Sequence, residues 1–413
     1  MKQVLTNCHL IDGRGGQAID NAVVEIHDDT IHWTGPASDW EGDSTIGVRD
    51  MQGAYVLPGL WDMHIHLSMT VLKEGASPPT PAGAALFSYR RALAFLDAGI
   101  TTLRLVGSGQ EGIDFALRDG IAQGEYWGPR LLTAGQGLSS TGGHGYDGQT
   151  PCDGPYQFRR AARERLAAGA DLIKIMVTGG MGGRYETHDA LQTLPDEVKA
   201  AVEVAHNAQK HVAAHIASPQ AAVMGVDAGI DTVEHGYTLD AASLTYMAEN
   251  GVTYVPTLVV SHDLDYWEKL RVASWSYQKL RIVQEPHRQA VKTAIQLGVP
   301  MAIGTDVPTA HMDGTIVTVR EMELLEELGA MPSEVITWAT SVPARVAGLG
   351  GTVGELVPGQ KADLIAVLDD PEFSVKALRD VKLVMTNGRI TKDLLTSETP
   401  VTLPDGFFGD HPL

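Results

Sequence analysis

A chain of 413 residues that is 44% hydrophobic and 20% charged has the composition of an ordinary globular protein, and its length points to a large barrel-type domain with an accessory domain. Its 31 Lys and Arg against 51 Asp and Glu leave a formal charge of −20, which repels phosphate backbones and anionic lipid and so argues against nucleic acid and membrane partners. Cys8 and Cys152 are too few and too far apart for a disulfide framework. The N-terminus lacks a signal peptide's apolar core, and no window reaches the roughly 18 apolar residues of a membrane span, so a cytoplasmic protein is expected.

In chain order, residues 1–55 alternate short β-type runs (VVEIHD, TIHWTG) with Gly and Asp turns. From Val56 the text changes to eight β-then-α units. They begin with VLPGLWDMHIH and PAGAALFSYRRALAFLDAG, then TTLRLVG and IDFALRDGIAQG, RLLTAGQG and YQFRRAARERLAAGA, and DLIKIMVTGG and PDEVKAAVEVAHNAQ. They continue with HVAAHIA and SPQAAVMGVDAG, DTVEHGY and DAASLTYMAENG, VTYVPTLVV and a helical region to Leu297, and VPMAIGTD and TVREMELLEELG. Gly99, Gly169, Gly229, Gly251 and Gly298 follow predicted helices, where a left-handed residue ends the helix.

This pattern predicts an α/β protein, a (β/α)8 TIM barrel over 56–349. A further helix, SEVITWATSVPARVAGL, precedes the β-type runs GELVPGQKADLIAVLDD and VKLVMTNGRITK, the latter turning at Asn387-Gly388. Residues 1–55 and 350–395 are expected to join as one small β-sandwich domain, with 396–413 a loosely attached tail.

Successive strand residues face opposite ways, so His64 and His66 share a face. Alone, this His-X-His signal is weak. The other predicted strand ends add Lys174, His215, His235 and Asp306, and in a barrel all of these open on the C-terminal face, where barrel enzymes hold their catalytic groups. Taken singly, Lys174 reads as a buried lysine paired with an acid, and His215 and His235 each read equally as hydrogen-bonded core residues. Among imidazoles, a lysine can also react with carbon dioxide to give an anionic carbamate whose two oxygens bridge two divalent cations.

From its β-rich start to GELVPGQKADLIAVL, the chain resembles the amidohydrolase superfamily, in its imidazolonepropionase-like and Xaa-dipeptidase (prolidase-like) branch. PGLWDMHIH, IKIMVTGG, VAAH, VEHG and IGTD match that branch's metal motifs in order, and STGGHG, residues 140–145, matches its loop after the third strand. The resemblance implies two divalent cations, with zinc first and manganese or cobalt as alternatives. His64, His66 and Asp306 would hold the more buried one and His215 and His235 the more exposed one, with carboxylated Lys174 as the bridge. It further implies a shared hydroxide as nucleophile, Asp306 as proton carrier, and His144 and Tyr237 as substrate-holding groups at the carbonyl or carboxylate.

Two departures from the branch stand out. AHIASPQ lacks a second histidine and a glycine after the first, and GGMGGRYETHDALQT carries Arg184 and His188 where relatives have a Pro- and Asp-containing turn. Arg184 reads as a carboxylate clamp or as a solvated loop residue. Tyr266, Trp267, Trp275 and Tyr277 read as pocket lining, core packing or a subunit contact, and SPPTP, residues 77–81, as a rim loop or a helix start.

The resulting expectation is a binuclear amidohydrolase cleaving an amide or peptide bond of a small molecule of dipeptide or N-acyl amino acid type. The alternative is a cyclic amide, carbamate, urea or xenobiotic amide, such as a mycotoxin amide. Deamination ranks lower, because deaminases on this scaffold usually have one metal, no bridging lysine and a nearby glutamate. A metal-free scaffold ranks lower because no ligand position is lost. Self-association into a homo-oligomer is left open.

Overall fold

The computed structural model describes residues 2–42, 47–69 and 79–395. The expected tail and the first part of SPPTP lie outside these; Thr80 caps the helix Pro81–Asp97 by accepting from Gly83 N, so the described part of that stretch is a helix start.

Both chain ends enter one mixed eight-stranded sheet. Its order is Arg389–Asp393, Leu383–Thr386, Leu364–Val367, Tyr55–Pro58, Lys2–Leu10, Ile19–His27 and Thr30–Pro36, with Gly47–Asp50 also pairing with Lys2–Leu10. The joint is antiparallel: Ile365 lies opposite Leu57 and Leu364 opposite Pro58. The sheet thus extends to Pro58, beyond the expected limit at 55. Strand pairing delineates this one sheet, not the two layers of the expected sandwich. Leu5, Val24, Ile26, Val56, Leu364 and Leu383 are fully buried in its apolar core.

Asn387 and Gly388 turn the last hairpin with φ of 47° and 70°. A side chain at Gly388 would strike the Asp28 carbonyl, so close approach as well as turn geometry selects glycine there.

The middle of the chain builds two parallel sheets. Leu60–Ile65, Ile100–Leu105 and Arg130–Thr133 form one. Thr150–Pro151, Leu138–Ser139, Leu172–Met176, His211–Ile216, Thr232–His235 and Thr253–Val255 form the other. Residues 300–306 run between them. Tyr254 N donates to Pro300 O at 2.8 Å and Ala302 N to Tyr254 O at 3.0 Å, while Met63 N donates to Ile303 O at 2.8 Å and Asp306 N to His64 O at 2.7 Å. Across the other gap, Asp171 N donates to Thr133 O at 2.8 Å. The five glycines expected to end helices all have positive φ, from 66° at Gly298 to 93° at Gly169.

Four elements differ from the sequence pattern. The seventh β-run stops at Val255, because Thr257 turns left-handed and the Glu321 carboxylate accepts from Leu258 N and Val259 N, which starts the helix Leu258–His262. The helical region beyond it is broken into Leu264–Lys269 and Ser274–Leu297. The helix expected over 333–349 divides at Thr340 into Pro332–Trp338 and Ser341–Val346. A hairpin, His311–Met312 with Thr315–Ile316, precedes the last long helix Val317–Glu327 and was not signalled. Among the described residues, no helix is long and apolar enough to cross a membrane.

Candidate metal centre and active site

The strand registers bring the expected residues to one end of the parallel sheets. Met176 pairs with His215 and Ile216 with His235, so the Lys174, His215 and His235 strands end side by side. Asp306 reaches the His64 strand through its backbone bond to His64 O. All six candidate ligands line one cavity of about 1050 Å³, together with His144 and Tyr237.

Within it, Asp306 Oδ1 is 3.1 Å from His66 Nε2 and 3.6 Å from His64 Nε2. The His64 and His235 rings are 4.7 Å apart and those of His215 and His235 4.4 Å apart. His64, His235 and Asp306 each offer a donor atom within 4.8 Å of the others.

Backbone strain helps make this convergence. Strict alternation would send Glu234 and His235 to opposite faces. His235 instead has a φ of 69°, and both residues reach His64: Glu234 Oε2 lies 2.7 Å from His64 Nδ1. Asp306, with a φ of 58°, is a second candidate ligand in the left-handed region. Such conformations persist where the surroundings over-determine them, as at functional sites.

Each candidate imidazole is held through its other nitrogen. His66 Nδ1 faces Gly107 O at 3.0 Å, His215 Nε2 faces Gly179 O at 3.0 Å and His235 Nδ1 faces Thr257 Oγ1 at 2.8 Å. This is the outer-shell pattern that fixes tautomer and ring orientation in metal-binding histidines. Burial holds His64 down at about 4 and drives His215 and His235 well below the usual histidine range, with neighbouring cationic groups adding to the effect, so these rings are neutral, as ligands must be. Burial also lowers the Lys174 amine to about 8. Lys174 Nζ is buried without a hydrogen-bond partner. Burial alone would raise Asp306, but His64, His66 and Lys174 keep it below the ordinary carboxylate value.

Several supporting residues were not singled out from the sequence. Arg104 Nη2 donates to Glu234 Oε1 at 2.7 Å and its Nε to Met63 O at 2.6 Å, so Glu234 links a buried guanidinium to His64. Asp62 accepts from His64 N and Thr305 N at 3.1 Å, and from the Thr305 and Thr318 hydroxyls at 2.9 Å, tying the Leu60–Ile65 strand to residues 300–306 and to the helix Val317–Glu327. Glu186 Oε1 is 3.0 Å from His144 Nδ1 and also accepts from Gly183 N. Burial opposes ionisation of Glu186, but His144 and backbone donors lower it to about 2. The one available signal was a charge in an apolar strand: TTLRLVG buries Arg104, which requires an acid partner.

Tyr237 stacks on His235 at 5.4 Å and meets the edge of buried His287 at 5.0 Å. Burial, reinforced by Asp306 and Glu186, raises its phenol well above the usual value and keeps the proton on. His144 lies 4.3 Å from the His215 ring.

Met176, Met181, Val260, Trp267 and Leu280 give the cavity an apolar wall. Trp267 is buried, with Nε1 donating to Val260 O at 2.8 Å, whereas Tyr277 lines a neighbouring cavity with Tyr266. Arg184 is an exposed rim residue over the Tyr185 and Trp275 rings, at 5.5 and 5.6 Å. His188 and His311 are not among the cavity's lining residues.

Known proteins resemble this chain over most of its length. The Amidohydrolase family profile matches residues 55–391. Ochratoxinase of Aspergillus niger is 30% identical over 406 residues, covering 89% of this chain and 82% of its own. A crystal structure of a Xaa-Pro dipeptidase with bound methionine in the active site superposes with a TM-score of 0.87 at 28% identity, over 94% of this chain and 99% of that one. A prolidase complexed with N-methylphosphonate-L-proline gives 0.86 at 27%, over the same shares. The α/β fold is thus of the TIM-barrel type. With a match spanning most of its length, the chain belongs to the Amidohydrolase family and is a hydrolase acting on carbon–nitrogen bonds.

Proposed function

We propose that this chain hydrolyses an amide or peptide bond of a small molecule of dipeptide or N-acyl amino acid type, using two divalent cations, zinc first. The observation that carries the reading is Lys174: a buried amine without a hydrogen-bond partner, in a cavity lined by five imidazoles and Asp306. A bare ammonium there would be left without a hydrogen-bond acceptor, whereas a carbamate on the amine supplies an anion that cations neutralise. The donor set also fits in kind, being nitrogen and carboxylate groups with neutral, oriented rings.

His64, His66 and Asp306 would hold one cation and His215 and His235 the other, with carboxylated Lys174 between them. When bound, such cations polarise a carbonyl and acidify water at neutral pH. Asp306 then takes the proton of the attacking water and returns it to the departing amine nitrogen. His144, gripped by Glu186 through Nδ1, presents Nε2 to the substrate, and Tyr237 presents a neutral phenol that donates to the oxyanion or to the substrate's carboxylate.

The parallel sheets and their helices are read as one eight-unit barrel over 56–349, beside a small sandwich domain formed by the two chain ends. The enzyme is read as cytoplasmic, and sedimentation would test for a homo-oligomer.

The cavity favours a second reading of the substrate. A volume of about 1050 Å³ with Met176, Met181, Val260 and Trp267 on its wall exceeds the needs of a dipeptide and suits a bulky apolar or aromatic acyl group, as in a xenobiotic or mycotoxin amide. The relationship to ochratoxinase supports the same direction. Zinc-loaded protein is to be assayed on dipeptides, N-acyl amino acids and aromatic-acyl amides by release of free amine. Preference within the panel decides between the substrate readings. No amine from any amide, together with ammonia from aminated heterocycles, would replace both with deamination.

A further inference from the structure

The chain-end sheet carries a second group of metal-type donors. Glu25 and His27 on Ile19–His27 and His32 on the adjacent Thr30–Pro36 each offer a donor atom within 4.8 Å of the others. Glu25 Oε1 lies 2.7 Å from His27 Nε2. The other carboxylate oxygen, Oε2, accepts from Trp40 Nε1 at 3.0 Å. The carboxylate is therefore buried, 7% exposed as a residue, and aimed by an indole, while one oxygen faces an imidazole nitrogen. That is how an outer partner orients a ligating carboxylate.

The strands that carry the donors are fixed in register. At the hairpin tip, Lys361 Nζ is 2.6 Å from Asp29 Oδ2, and Ile31 N donates to Gln360 O at 2.8 Å, pinning the turn to the C-terminal half of the chain. The His27 and His32 rings lie face to face, 4.0 Å between centroids at 10°. His32 is exposed, so rotation of its ring about the Cβ–Cγ bond brings a nitrogen lone pair toward the Glu25–His27 gap without moving the backbone. An ordinary surface His–Glu pair needs neither the third donor nor the anchored second oxygen.

We propose that Glu25, His27 and His32 bind one transition-metal cation of the zinc class, additional to those of the cavity. Two imidazoles and one carboxylate suit zinc, with water in the fourth position. The cation would staple two neighbouring strands of the chain-end sheet where they dock on residues 359–362. This site is independent of the reading of the cavity, because none of its residues lines it.

The test is equilibrium dialysis of the full-length protein at micromolar free zinc, with metal counted per chain, on wild type, His27→Ala, His32→Ala and Trp40→Phe. Wild type is expected to hold one zinc more than either histidine variant, and Trp40→Phe to bind that zinc about tenfold or more weakly. Zinc should also raise the melting temperature of wild type more than that of His32→Ala, since a ligand specific to the folded state stabilises it. His32 is exposed, so its replacement does not put folding at risk. Equal zinc content in wild type and both histidine variants overturns the proposal.

Discussion

The parallel sheets and the chain-end sheet are both built on buried aliphatic strands, yet they treat charge differently. Asp62, Glu234 and Glu321 in the parallel region are 0% exposed and Lys174 is 1% exposed, whereas the buried acids of the chain-end sheet, Glu25, Asp363 and Asp393, keep 5–7%. Burying ions at zero exposure costs several kcal/mol each unless geometry compensates it. The parallel region compensates through chains such as Arg104–Glu234–His64. The chain-end sheet mostly avoids the cost with an aliphatic core and acids at its margin. Charge is concentrated where chemistry would use it, and the other region is left to hold the ends of the chain together.

Substitutions in the two regions should therefore fail in different ways. The largest effect is expected for Lys174→Ala. Amide hydrolysis should fall by about 10³-fold or more, because polarisation by the cations supplies several kcal/mol, and metal in the cavity should be lost with it. Full activity after exhaustive chelation would break the comparison at its root. Arg104→Met leaves the Glu234 charge buried and unpaired, and should destabilise the fold by about 3–5 kcal/mol in denaturant titrations. Leu364→Ala, in the chain-end core, should cost about 2–5 kcal/mol by opening a cavity, with no change in metal per folded chain. If that variant lost cavity metal while still folded, the two regions would not be energetically separate.

The smallest effect sharpens the picture inside the cavity. Glu186→Gln removes the charge opposite His144 Nδ1 and should lower kcat by about tenfold, a loss of about 1.4 kcal/mol, with melting temperature nearly unchanged. A change in stability alone would make Glu186 a loop brace and not a positioning residue.

His64 and His66 were legible because a strand's two-residue period puts both on one face, and Lys174, His215, His235 and Asp306 because parallel strands present their ends together. Asn387-Gly388 was legible because few dipeptides accept two positive φ values in succession. Glu234 was hidden by the same periodicity, since alternation assigns it the face opposite His235 and only the left-handed backbone at His235 removes that opposition. Glu186 stood in a loop without period, 42 residues from its partner His144. The helix that replaces the end of the seventh β-run depends on Glu321, 63 residues beyond Leu258.

Local physical chemistry in the chain determined where most strands and helices occur, which glycines end them, and which six polar side chains sit at strand ends, because those properties act over a few residues. Tertiary structure decided the rest: the carboxylates that orient those side chains, the apolar wall that shapes the cavity, and the joining of both termini in one sheet. These are contacts between segments far apart in sequence, and what selects them is the cost of leaving a charge or an apolar surface without a partner, which appears only once the chain has closed on itself.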